Sequence, residues 1–241
     1  GREERLKTLL YFSSPAREGR RRRGTPRAPP PTRPDFRAIS MAEVLLDGAG
    51  SQLVWLRGAA ALRGPDVESA AEGGLAAVPA AWRERRRERD GDGFHITFLT
   101  KADLQTLALR LAEGRPWPEG AEPPEEPASH ASVARAVGRV VAALPGPLEW
   151  VDAGAGRASE EGAEAFFRVA LWPAGAEARE ALGLPPRDFH VTLGFRGRDV
   201  HGRSKGLTSL TSGVVGAAAV AELAAAAQRL LDAGAGRGRL A

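Results

Sequence analysis

The 241-residue chain contains no cysteine, which excludes disulfide frameworks, Cys-ligated zinc, thiol nucleophiles and iron–sulfur clusters together. Lysine is scarce as well: 31 of the 34 basic residues are arginine. Set among abundant Ala, Gly and Pro, this reads as a compositional bias of the whole chain, so a single arginine says little about nucleic-acid binding. Long apolar runs are also missing. The most apolar stretch, residues 214–231, is interrupted by Gly216, Glu222, Gln228 and Arg229. It falls short of the unbroken run of about 18 residues that a membrane span requires and reads as a soluble helix. No dense carboxylate or histidine cluster argues for a metal or another cofactor.

What is present is a chain of two characters. Residues 1–40 hold 11 Lys/Arg against 4 Asp/Glu, including Arg20-Arg21-Arg22-Arg23, and run through Pro29-Pro30-Pro31. Too little of this segment is apolar to offset the entropy of ordering it, and it is expected to be disordered. Three readings of it stand: a basic nucleic-acid or localisation tail, an Arg-rich organellar transit segment, or residues upstream of the true start at Met41, the sole methionine. A leader or residues upstream of the start are preferred to a functional tail, and an intracellular compartment, cytoplasmic or nuclear, is expected, with an organellar transit segment as the alternative. The remainder is net acidic, so the basicity belongs to the tail.

From residue 41 to 233 the pattern is that of a mixed α/β domain, followed by a short flexible tail over 234–241. Strands are predicted over residues 52–56, 94–100, 148–152, 164–172 and 189–195. Helices are predicted over 75–89, 101–113, 130–144, 176–182 and 214–232. Leu104, Leu107, Ala108 and Leu111 recur at the spacing of one helical face, as do Val133, Val137, Val140, Val141 and Leu144. The five prolines of residues 114–129 mark a linker or loop between two similar halves.

An internal repeat carries the chemistry. Phe94-His95-Ile96-Thr97-Phe98 is echoed 95 residues later by Phe189-His190-Val191-Thr192-Leu193. Side chains alternate between the faces of a strand. Phe94, Ile96 and Phe98 therefore face a core, as do Phe189, Val191 and Leu193, and each His shares the opposite face with its Thr. Two imidazoles that titrate near neutrality can supply the base and the acid of a phosphodiester hydrolysis. The two hydroxyls can donate to non-bridging phosphate oxygens as charge builds on them. Such a reaction needs no metal.

With both motifs complete, the chain resembles the 2H phosphoesterases, named for two His-x-Thr/Ser motifs. Phe94 to Lys101, and Phe189 to Phe195 followed by Asp199-Val200-His201-Gly202, resemble in particular the Swiss-army-knife branch associated with RNA repair. The resemblance covers roughly residues 43–212. It implies an α+β fold that is duplicated and bilobal, with two antiparallel sheets flanking a central cleft and helices outside. It implies His95, Thr97, His190 and Thr192 as catalytic residues, with no cofactor and no metal. The implied partner is RNA or a nucleotide carrying a 2′,3′-cyclic phosphate. Two other readings stand beside it: a non-catalytic RNA-binding module that keeps the fold, and an unrelated α/β protein.

Other residues are weaker candidates. His201, Arg196, Arg198, Arg203 and Lys205 lie in a polar loop after the second motif and are placed to meet phosphates or simply solvent. His130 reads as structural. Of Trp55, Trp82, Trp117, Trp150 and Trp172 most read as core, with Trp117, between two prolines, the one expected at the surface for base stacking. Gly154-Ala155-Gly156 and Gly234-Ala235-Gly236 read as turns.

Overall fold

Two-residue hairpins and a run of alternating side chains organise the structure, a computed structural model that describes residues 42–48, 50–125, 129–211, 221 and 225. The tails expected over 1–40 and 234–241, the helix expected over 214–232 and Gly234 to Gly236 therefore lie outside the described residues, apart from two isolated helical positions.

The described strands are β1 (Glu43–Asp47), β2 (Gln52–Leu56), β3 (Ala59–Arg63), β4 (Ile96–Leu99), β5 (Val151–Glu160), β6 (Ala163–Leu171) and β7 (Phe189–Arg196). They form one antiparallel sheet in the order β1-β2-β3-β4-β7-β6-β5. The tight β2–β3 turn has Arg57 and Gly58 at φ 51° and 83°. Two successive positive φ values are the signature of the turn whose twist matches that of paired strands. The described helices are α1 (Pro65–Leu75), α2 (Ala80–Asp90), α3 (Lys101–Ala112), α4 (His130–Ala142) and α5 (Pro173–Ala181). None is long and apolar enough to cross a membrane.

The mixed α/β class is as expected, but the arrangement of the sheets is not. Instead of two sheets flanking a cleft, the described strands join edge to edge. The two motif-bearing strands, β4 and β7, bond directly to each other with Ile96 opposite Val191. Backbone groups at the seam find partners across it, which a separated pair of sheet edges would leave unpaired.

The larger core gathers Ile96, Phe98, Val191 and Leu193 of the two central strands with Leu104 of α3 and Val137 of α4. Its centre is Trp172, which meets Phe98 at 4.9 Å and Phe189 at 5.2 Å between ring centroids. Each such pair adds about 0.5–1.5 kcal/mol beyond area burial. The residues flanking Thr97 and His190 are thereby anchored to a common ring.

Several elements differ from the sequence prediction. The helix expected over 75–89 begins later, as α2 at Ala80, and α1 before it was not expected, being obscured by Gly73 and Gly74. Gly74 is required by close approach: a Cβ there would lie 2.5 Å from Leu193 Cδ1. The strand expected over 148–152 runs instead from Val151 to Glu160, so Gly154-Ala155-Gly156 belongs to β5 and is not a turn. A Cβ on Gly156 would be 2.4 Å from the Phe167 ring, and the small residue lets β5 pass beneath that ring. Trp117 packs half-buried against the larger core rather than standing at the surface.

The end of β4 is set by a capping box. Thr100 Oγ1 accepts from Asp103 N (3.2 Å), and the Asp103 carboxylate accepts from Thr100 N (2.8 Å). Removing the cap by Thr100→Ala is expected to cost about 1 kcal/mol, read as a lower denaturant midpoint with an unchanged slope.

Candidate active site

His95 immediately precedes β4, and Thr97 lies within it; both are half-buried between the buried Phe94, Ile96 and Phe98. On β7, His190 and Thr192 are half-buried between Phe189, Val191 and Leu193. The alternation expected from the two motifs is the one observed.

The seam relates the motifs. With Ile96 opposite Val191 in an antiparallel pair, the neighbouring positions set His95 beside Thr192 and Thr97 beside His190. Each histidine thus has the other motif's threonine as its lateral neighbour, and all four residues share one face. Diagonal positions on one face of such a pair have backbones about 7–8 Å apart, and His95 and His190 stand in that diagonal relation. On the β6 side, Val169 pairs with His190 and Phe167 with Thr192.

A bulge next to this site changes which residues face it. Phe166 pairs with Gly194 but Phe167 with Thr192, so Leu193 is the extra residue of β7. Beyond it the alternation inverts. Phe195 consequently leaves the larger core and joins a second cluster with Phe167, Val169, Phe195's neighbour Ala165, and Val200. This cluster buttresses His190, whose ring meets Phe167 edge-on at 5.6 Å.

The electrostatic surroundings of the histidines are unequal. His190 Nδ1 lies 3.3 Å from the Asp188 carbonyl and Nε2 lies 3.3 Å from Lys205 Nζ. Lys205 Nζ donates to Asp199 Oδ1 at 2.8 Å, and Asp199 Oδ2 accepts from Arg89 at 2.7 Å. Burial, reinforced by the Lys205 charge, pushes His190 down to about 3. For Asp199 burial acts upward, but Lys205 and Arg89 outweigh it and hold the carboxyl at about 2. Burial also lowers His95, where Asp90 opposes the shift and Arg89, Arg63 and Arg86 add to it.

The weaker candidates divide. Lys205 is only 4% exposed and reaches His190, whereas Arg198 pairs with Glu160 at 3.0 Å and Arg196 with Glu164 at 3.8 Å. Arg203 and His201 are exposed; His201 lines a cavity of about 650 Å³ with Arg85, Arg89, Phe195 and Asp199. His130 opens α4, half-buried. Sequence reasoning assigned no role to Arg89, which sits in a charged run that reads as a solvated helix face, or to Asp199, which entered only through the resemblance. Lys205 carried a signal: in a chain with three lysines and 31 arginines, a lysine is a departure from the bias.

Two imidazoles and two hydroxyls on one face, with a buried cation touching one imidazole, suit the binding of an anion and the movement of protons on either side of it. Comparison with known families agrees with this chemistry: residues 61–201, more than half of the chain, match the profile described as Swiss Army Knife, 2H phosphoesterase domain. No curated protein and no solved structure matches the chain.

Proposed function

We propose, from the premise that this chain belongs to the Swiss Army Knife family of 2H phosphoesterase domains, that it hydrolyses a 2′,3′-cyclic phosphate at an RNA end or in a small nucleotide. Membership by itself points to phosphodiesterase-type chemistry and to a nucleotide or RNA-type substrate; the cyclic phosphate and the two-histidine mechanism are the proposal. One observation carries it: the Ile96–Val191 register, which sets each motif's histidine beside the other motif's threonine.

In this reading a substrate phosphate lies between His95 and His190. One imidazole takes a proton from water as the water oxygen bonds to phosphorus. The phosphorus–oxygen bond to the ribose breaks with its electron pair, and the other imidazole protonates that oxygen. The products are a phosphomonoester and a free hydroxyl, and solvent exchange restores the two rings. Thr97 and Thr192 donate to the non-bridging oxygens, where charge grows as the pentacoordinate state forms.

The test is incubation with a panel of 2′,3′-cyclic nucleotides and cyclic-phosphate-ended RNA in the presence of EDTA, with products separated by chromatography. A ring-opened monoester is expected at a rate unaffected by chelator. Loss of all turnover in EDTA, restored by a divalent ion, would overturn the mechanism; no turnover of any panel member would overturn the proposed substrate class.

A further inference from the structure

His190 has a partner at each ring nitrogen, and the two partners are chemically opposite. The Asp188 carbonyl, 3.3 Å from Nδ1, only accepts; the Lys205 ammonium, 3.3 Å from Nε2, only donates. Both contacts are satisfied by one tautomer, with the proton on Nδ1 and the lone pair on Nε2. Lys205 is not there by the chance of a flexible surface side chain. Its ammonium is buried and paired with Asp199, which is in turn paired with Arg89. Its backbone N–H also donates to the Asp188 carboxylate at 3.0 Å, so the residue whose carbonyl holds Nδ1 also anchors the loop that carries Lys205. A buried lysine is costly unless paired and serving a role, and the reaction described above makes no use of it. Lys205 also lies beyond the residues 61–201 that match the family.

Building on the phosphodiesterase reading, we propose that Lys205 is a positioning residue for His190: its ammonium, backed by Asp199 and Arg89, fixes the Nδ1–H tautomer and leaves Nε2 as a bare acceptor. A ring so held can take a proton at Nε2 and has none there to give. His190 is then the group that receives the proton of the attacking water, and His95 the one that protonates the departing ribose oxygen. A phosphate oxygen is an alternative acceptor for the same ammonium, and charge-assisted contacts of this kind are the stronger ones. On substrate binding Lys205 therefore exchanges Nε2 for the phosphate, whose negative charge offsets that of the imidazolium as it forms.

The charged groups acting on His190 are Lys205 and Asp199 from the loop after β7 and Arg187 before it. Its lateral neighbours, Thr97 of β4 and Val169 of β6, are uncharged, as is Phe167. Burial and the Lys205 charge both disfavour the imidazolium, in keeping with a ring that rests unprotonated.

The experiment combines nitrogen-15 NMR of the histidine rings with pH–rate profiles on a 2′,3′-cyclic nucleotide, using the full chain. In the wild type His190 is expected as the Nδ1–H tautomer at neutral pH, taking no second proton as pH falls through about 6.5, the ordinary histidine value. Lys205→Met keeps the apolar stem and leaves Asp199 its Arg89 partner. It should raise the His190 midpoint by at least about one pH unit and move the acid limb of kcat/KM upward with it. Lys205→Arg, which keeps a cation, should stay near the wild type in both readouts. An Nε2–H tautomer or an ordinary midpoint in the wild type overturns the inference, and needs no variant to fold. So does a Lys205→Met enzyme that is slower at every pH with midpoint and limb unmoved. The ring titration requires no turnover: an inert protein with the expected titration refutes the phosphodiesterase reading alone, and an active one with an ordinary His190 refutes the role of Lys205 alone.

Discussion

Replacing either His95 or His190 by Ala is expected to lower kcat for a cyclic phosphate by about 10²- to 10⁴-fold, the usual worth of a positioned acid or base. The two losses should not multiply. Both proton transfers belong to one transition state, so the double variant should be little slower than the worse single one. Folding should survive. The core at this seam is made by Ile96, Phe98, Val191 and Leu193, which are fully or almost fully buried, while the two histidines lie on the opposite, half-buried face. Circular dichroism and denaturant midpoints would separate loss of chemistry from loss of fold. A single variant that keeps near wild-type turnover would remove that histidine from the reaction.

The threonines give the second large effect and a different pattern. Thr→Val keeps the β-branched shape and deletes the donor, whereas Thr→Ser keeps the hydroxyl. At either Thr97 or Thr192, Val should reduce turnover by roughly 10²- to 10³-fold, the cost of removing one oxyanion donor, and Ser should retain much of the rate. The threonines carry no proton through the reaction, so the pH–rate profile, which two titrating imidazoles should make bell-shaped, should keep its form in both variants. Measuring kcat for Val and Ser at each position decides the matter: equal rates would mean that the hydroxyls do not touch phosphate and that the repeat is a packing feature.

Much of this was open to inspection before any coordinates. Alternation within Phe94-His95-Ile96-Thr97-Phe98 assigns each side chain to a face, because a strand has period two and the apolar members must be covered. The amphipathic spacing of α3 and α4 identifies those helices for a similar reason. Where the reading failed, tertiary contact overrode local preference. Alanine-rich β3 has poor strand propensity and is held by pairing on both edges, to β2 and β4. In α1, Gly74 looks like a helix breaker and is there because Leu193 leaves no room for a Cβ. In β5, Gly156, one of two glycines that suggest a turn, makes space for Phe167.

By itself, then, the sequence determined the two His-x-Thr motifs, the face each of their residues occupies and the family to which residues 61–201 belong. Three things were decided only in three dimensions. One is the seam, where Ile96 meets Val191 and a single sheet replaces the two that were expected. Another is the bulge at Leu193 that turns Phe195 toward His190's side. The last is the chain of contacts from Arg89 through Asp199 and Lys205 to His190, whose first link joins residues 110 apart in sequence. Periodicity reports the covered side of an element, because burial acts on every turn or every second residue of it. It holds no information on which strand edge will be the neighbour or which distant charge will be buried alongside, since those depend on how the whole chain closes.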